Sequence, residues 1–362
     1  MHNLRSHHFP PPFSPPRPPA ILPPLLLYNL SIHHIFLRSS FTIAVVRIPF
    51  LDSALDLATL LFISALIILS LLSLCFIFHL CFKSRTALHL QHFNSLWTVR
   101  FLLVLFVIFW SLNELLRIPT LRSTYLYPFF STLAPFEEPH FCKIHVALSL
   151  GFFEPAFLVT LLFLVDVSIE KKTPNAFWAI AFVLATCLPM ALVQVIFLFF
   201  NPFQKLRLPV PDFFVRSYVV SKSELGISMV SCAYPLLNII MFGSFGAAYS
   251  LWFLFSCWKV LSLVINKGLR TRIYTLAATV LVPLPLQIIF MGLSNFWKPD
   301  HPAFAAVSFV AFLATLTCAA VGEGILVIKP IGDSLAAGGD ACRWNREKKP
   351  AEVTDNGGKC AV

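Results

Sequence analysis

The sequence predicts an all-α, polytopic membrane helix bundle with seven transmembrane helices, on three observations. Hydrophobic residues fill 57% of the chain and charged residues only 12%, with a mean hydropathy of +0.79, a composition foreign to soluble domains. Seven apolar runs are each long enough, at about 1.5 Å per helical residue, to cross a hydrocarbon core about 30 Å thick. The stretches between them are rich in proline or in lysine and arginine and end each run.

The head, residues 1–50, is different material. Prolines cluster at Pro10, Pro11 and Pro12 and again between positions 15 and 24, mixed with His7, His8, His33 and His34; such a segment cannot pack a core. Its apolar patch is interrupted by Pro23 and Pro24, which makes a poor signal-peptide core and a worse spanning helix, so a disordered tail is expected. Asn29-Leu30-Ser31 fits the glycosylation sequon, a three-residue pattern that also arises by chance.

The first span is expected over residues 57–82, stopped by Lys83-Ser84-Arg85, and the second over 96–116. Near the end of the second, Glu114 and Arg117 stand at i,i+3 and read as a snorkelling interface pair. Residues 118–140 are a polar, aromatic loop broken by Pro119, Pro128, Pro135 and Pro139. The third span, 142–168, is the one the others are arranged around, because it places Cys142, Lys143, His145, Glu154 and Asp166 in an otherwise apolar run. Glu154 falls near mid-bilayer, where a charged side chain costs on the order of 3 kcal/mol; it is expected to turn toward protein or water, or to carry a proton. Pro155 cannot donate a backbone hydrogen bond and its ring disfavours the carbonyl of Gly151, so a bend is expected here, with open acceptors beside the carboxyl.

The fourth span, 176–200, follows Lys171-Lys172 and contains Pro189 and Gln194. A long loop is expected over 201–227, then a fifth span over 232–258 that carries Pro235 and Asn238, with Gly243, Gly246 and Ala247 spaced for close helix contact. The sixth, 273–295, should kink at Pro283-Leu284-Pro285 and contains Gln287. The seventh, 303–328, carries Ala314, Cys318 and Gly322 on an i,i+4 row and Glu323 between two glycines, and Lys329-Pro330 is expected to close it. The glycine-rich tail, 331–362, reads as disordered and cytosolic.

Orientation follows from the short loops. Lys83 and Arg85, Lys171 and Lys172, then Lys267, Arg270 and Arg272 share one side with the tail, which puts the amino terminus outside or in a lumen and the carboxyl terminus in the cytosol. The formal charge of +10 then belongs to loops facing anionic lipid rather than to nucleic-acid binding. Lys267, Arg270 and Arg272 form a basic patch for lipid headgroups or a cytosolic signalling partner. The same topology sets Cys142 and Cys232 at the outer starts of the third and fifth spans, either bridged or as two unrelated apolar cysteines.

Cofactor and catalytic chemistries fail their spacing tests. Haem wants paired histidines within the bilayer, yet His145 lies about one turn into the third span and His79 near an inner end. Retinal wants a lysine inside the seventh span, whereas Lys298 precedes it and Lys329 follows it. The nine cysteines show no CxxC, no HExxH or nucleophile-elbow GxSxG occurs, and Cys360 is third from the end rather than fourth, so it is no prenylation box. The expectation is a protein that is not an enzyme, with no metal and no cofactor.

The stretches LWTVRFLLVLFVIFWSLNELLR and FCKIHVALSLGFFEPAFLVTLLFLV, and the FFEP signature within the second, resemble a plant family of seven-span proteins counted among candidate G-protein-coupled receptors. The resemblance covers residues 57–329 and implies a receptor of unknown small-molecule ligand; it carries no established functional residues. Asp166-Val167-Ser168 is not the Asp-Arg-Tyr type of ending for a third span, and the seventh has no Asn-Pro-x-x-Tyr, which departs from rhodopsin-like activation. A proton-coupled small-solute transporter is the rival, on the intramembrane carboxyls Glu154 and Glu323, and a non-signalling membrane scaffold is a third reading. Glu154, with His145, Asn238, Gln287 and Glu323, is the expected pocket for a ligand or an exchanging proton; the plainer reading of Glu154 is a structural interhelical hydrogen bond.

Overall fold

The computed structural model describes residues 49–84, 96–118, 121, 138–170, 176–200, 211–222, 228–297 and 301–334. The proline-rich head with Asn29, the interval 122–137 and the tail beyond 334 lie outside the described residues.

Among the described residues, seven helices are each long and apolar enough to cross a membrane. Helix α1 is Pro49–Ser84 and α2 is Trp97–Leu115. Helix α3 runs through Glu138–Leu148, a π-helical turn at Ser149–Phe153, and Glu154–Glu170. Helix α4 is Ala176–Val195, ending in the π-helical turn Ile196–Phe200, and α5 is Leu236–Leu263. Helix α6 comprises Lys267–Leu281 and Pro283–Ser294, broken at Val282. Helix α7 comprises Pro302–Glu323 and the π-helical turn Gly324–Ile328, and continues to Ser334.

The helices pack in a ring in which α1 lies against α2 and α7, α7 against α6, and α6 against α5, while α2, α4 and α5 all pack on α3. Helix α3 is therefore the centre: 72% of its most apolar stretch is buried, against 28% for α1, α4 and α6. A polar side chain on the inner face of α3 meets protein on all sides. The outer faces carry Leu57, Phe177, Trp178, Leu251, Trp252 and Trp258, all more than half exposed, which is the surface a hydrocarbon solvent requires. The protein is thus a multi-pass integral membrane protein in contact with the lipid bilayer. Small residues set the approach of α5 and α6: a Cβ at Gly246 would stand 2.9 Å from Ile288 Cδ1.

Several boundaries differ from the sequence expectation, the first being α1, which begins at Pro49 rather than at 57. The segment read as a loop up to 227 contains a strand: β1 (Tyr218–Lys222) pairs antiparallel with β2 (Ser228–Cys232), setting Tyr218 opposite Cys232. The β-branched Val219, Val220 and Val230 favour this pleated pairing. Helix α5 starts after the hairpin, at Leu236, with Pro235 as its N-cap instead of inside it, since proline fits only where a helix has not yet begun to need the missing N–H. Helix α6 begins at Lys267 rather than at 273, because the Asn266 side chain accepts the Gly268 N–H at 2.9 Å and caps it. Lys267, Arg270 and Arg272 are therefore in the first turns of α6, not in a loop. Lys329-Pro330 likewise fails to close α7, which passes through it; the π-turn comes just before, with the Lys329 N–H reaching back to Gly324 O.

Candidate functional site

The π-helical turn in α3 is where local structure becomes a site. Pro155 offers no N–H, and the backbone responds by widening over Ser149–Phe153, where the Glu154 N–H bonds to Ser149 O, five residues back. In a regular α-helix, residues five apart stand about 140° apart around the axis. The wider turn brings Ser149 over Glu154 instead, and Ser149 Oγ donates to Glu154 Oε1 at 2.8 Å.

Glu154 is 3% exposed and takes donors from three directions. Besides Ser149, Gln287 Nε2 of α6 donates to Oε2 at 2.5 Å, and Trp110 Nε1 of α2 makes a long 3.4 Å contact to Oε1. Trp110 is held in place by stacking on Phe312 of α7, with ring centroids 5.9 Å apart. A cavity of about 10 Å³ adjoins this carboxyl, lined by Leu284, Gln287, Thr315 and Cys318 among others, room for about one water.

A second buried carboxyl lies above the first, toward the hairpin. Glu114 was read as an interface pair with Arg117; it is instead 3% exposed, because α2 turns it inward onto α3. Ser149 Oγ is 3.4 Å from Glu114 Oε1, His145 Nε2 is 3.9 Å from the same oxygen, and Arg117 Nη1 is 3.9 Å from Oε2. His145 is fully buried. Its Nδ1 donates to the backbone oxygen of Asn113 at 3.0 Å, so Nε2 is the acceptor and receives the Tyr234 hydroxyl at 3.2 Å. In return Asn113 Nδ2 donates to the His145 carbonyl at 3.2 Å, so α2 and α3 are stitched in both directions. Tyr234 lies between the hairpin and α5, under the Arg117 guanidinium, 5.8 Å from its ring centroid. Burial, reinforced by the Glu114 charge, holds its phenol well above the ordinary tyrosine range.

The Cys142–Cys232 disulfide closes this end, with the Cα atoms 5.1 Å apart. It joins the start of α3 to the last residue of β2 and so fixes the hairpin beside Tyr234.

The expected pocket is thus divided. Glu154 and Gln287 meet directly, while His145 lies beside Glu114 and Tyr234 and connects to Glu154 only by way of Glu114 and Ser149. Asn238 does not join them: it pairs with Gln194, whose Nε2 donates to Asn238 O at 3.0 Å while Asn238 Nδ2 donates to Gln194 O and Oε1, stitching α4 to α5. Glu323 faces α1, where Ser70 Oγ donates to its Oε2 at 2.9 Å; among the described residues the other oxygen, Oε1, accepts no hydrogen bond. At the opposite end of the bundle, Arg272 Nη2 pairs with Asp333 Oδ2 at 2.7 Å and Arg270 Nη2 donates to the Tyr274 hydroxyl at 3.2 Å. From the sequence, Ser149, Trp110 and Tyr234 take no site role, and Glu114 takes only the pair with Arg117. Of these, only Glu114 carried a signal, as an acid inside an apolar run.

Fold and site together define a polytopic membrane protein built around a buried acidic cluster at the centre of a seven-helix ring. The chain belongs to the family of the uncharacterised conserved protein UCP031277, which matches residues 47–342 and so takes in all seven helices. No curated protein matches it.

Proposed function

We propose that the protein is a G-protein-coupled-receptor-like seven-span membrane receptor for a small-molecule ligand, kin to the plant candidate receptors it resembles. The observation that carries the reading is the Cys142–Cys232 bridge, which ties the hairpin between α4 and α5 to the start of the central helix. Many seven-span receptors tether their second outer loop in this way. The hairpin end is then the outer or lumenal face, in the plasma membrane or an endomembrane. The opposite end, with Lys83, Lys267, Arg270 and Arg272, is the cytosolic face, available to anionic lipid and to a signalling partner. A ligand engaging the hairpin end would act on helices whose contacts converge on α3, the element that both outer tether and inner acids share.

A second reading is favoured by the acids themselves. Buried carboxyls joined across α2, α3 and α6 are what a proton-coupled carrier uses. One experiment separates the two: nucleotide exchange on heterotrimeric G proteins in membranes containing the full chain, beside pH-dye measurement of proton flux in proteoliposomes. Exchange above that of membranes lacking the protein supports the receptor. Proton flux without exchange, abolished by Glu154→Gln, assigns the carrier.

A further inference from the structure

We propose that Glu114, Ser149 and Glu154 form a binding site for one proton, shared between the two carboxyls through the serine hydroxyl and linking the hairpin end of the bundle to α6. The inference holds under either functional reading, because it concerns the site and not its output.

It rests on the hydrogen-bonding capacity of one oxygen. Ser149 Oγ is 2.8 Å from Glu154 Oε1 and 3.4 Å from Glu114 Oε1, and all three side chains are 3% exposed or less. A hydroxyl has one proton to give and two lone pairs to receive with. With both acids ionised, Ser149 can serve only one, and two anions flank a single oxygen in a site buried from bulk solvent, where their repulsion is weakly screened. With one added proton the arrangement closes: the acid O–H of one carboxyl donates to Ser149 Oγ, and the Ser149 O–H donates to the other carboxylate.

Two such arrangements exist, and they interconvert without loss. The Glu114 O–H bond breaks as its proton joins Ser149 Oγ, while the Ser149 O–H bond breaks and that proton joins Glu154. Ser149 gains one proton and gives up another, and the cluster's proton count and charge are unchanged.

The surroundings rank the two states. Helix α2 supplies Arg117, 3.9 Å from Glu114 Oε2, and α3 supplies His145, 3.9 Å from Glu114 Oε1. Tyr234 faces the cluster from the segment before α5, and Cys318 faces Glu154 from α7. Helix α6 presents the uncharged amide Gln287, and α4 presents Gln194 beside Gly151. The guanidinium is at Glu114, so negative charge rests there and the proton rests on Glu154. Gln287 suits both states of Glu154, because its N–H reaches Oε2, which accepts whether or not Oε1 carries the proton. Arg117, whose side chain is 21% exposed, marks the hairpin end as the side from which the proton enters.

The test is infrared difference spectroscopy on the full chain in lipid nanodiscs, following the carboxylic-acid C=O stretch at neutral pH and its exchange in heavy water. The wild type is expected to show an acid band that Glu154→Gln lacks. In Ser149→Ala the band should persist but exchange about tenfold more slowly, the rate equivalent of one hydrogen bond removed from the path; Ser149→Thr, which keeps the hydroxyl, should restore the rate. Identical acid regions in wild type and Glu154→Gln overturn the proposal. So does wild-type exchange in Ser149→Ala, which also decides the matter if Glu154→Gln does not fold.

Discussion

Gln287 of α6 donates its amide to Glu154 of α3 across 2.5 Å, and neither side chain is more than 3% exposed. Helix α6 therefore reaches the central helix through a polar contact as well as through packing. Breaking it from the α6 side leaves a carboxyl oxygen buried without a donor, a loss of about 1–3 kcal/mol. Gln287→Leu should accordingly lower the thermal unfolding temperature in detergent, whereas Gln287→Asn, which keeps an amide, should lower it less. Equal melting of Gln287→Leu and wild type would show that the bond contributes nothing.

The Cys142–Cys232 bridge spans 90 residues of chain, and crosslinks of this kind stabilise by about 2–4 kcal/mol. Mass spectrometry of non-reduced protein should recover the two cysteines in one linked peptide pair. Cys232→Ser should release the hairpin, seen as faster amide exchange over β1 and β2, and reduce folding yield. Recovery of both residues as free thiols would remove the tether and, with it, the main support for the receptor reading.

Gly151, in the π-turn, packs directly against α4. A Cβ there would stand 3.1 Å from the Ala191 Cα and 3.2 Å from the Gln194 Cβ, and the first of these is backbone, which cannot swing aside. Two effects compete in Gly151→Ala: the gain of about 0.5–1 kcal/mol from replacing a helical glycine, and the strain of the added methyl. They should nearly cancel. Gly151→Val adds bulk that the gain cannot offset and should cost about 1–3 kcal/mol, read as a lower unfolding temperature. A Gly151→Val protein as stable as wild type would mean that α3 and α4 separate freely.

The helix count could be read from the sequence because the bilayer imposes it: an apolar run of sufficient length has one outcome, and punctuation by Lys83, Lys171 and Lys267 marks the breaks. That Glu154 and Gln287 face the interior was legible for the same reason, since a polar residue inside such a run must face protein. Glu114 was misjudged because its neighbour Arg117 offered a simpler partner at i,i+3; the sequence does not say which way the last turn of α2 faces. The π-turn left only Pro155 as a trace. The stitches Asn113 to His145 and Gln194 to Asn238 are pairings between helices, and no spacing within one helix reveals them.

Tyr234 gives the molecule an alkaline limit. Its hydroxyl donates to His145 Nε2, and burial raises its folded pKa above the unfolded value, which is about 10. The stabilisation is therefore fully present below pH 10 or so and is lost as pH climbs toward the folded pKa. Above about pH 10 the unfolded chain has given up the phenol proton while the native state keeps it, so stability falls by about 1.4 kcal/mol per pH unit for this group. Tyr234→Phe removes the group that titrates. It should cost about 1 kcal/mol at neutral pH, the worth of one hydrogen bond, and should flatten the decline above pH 10 relative to wild type. Denaturant unfolding in detergent at pH 8, 10 and 11 measures both effects. Parallel declines in the two proteins would show that Tyr234 ionises in the native state as readily as in the unfolded chain.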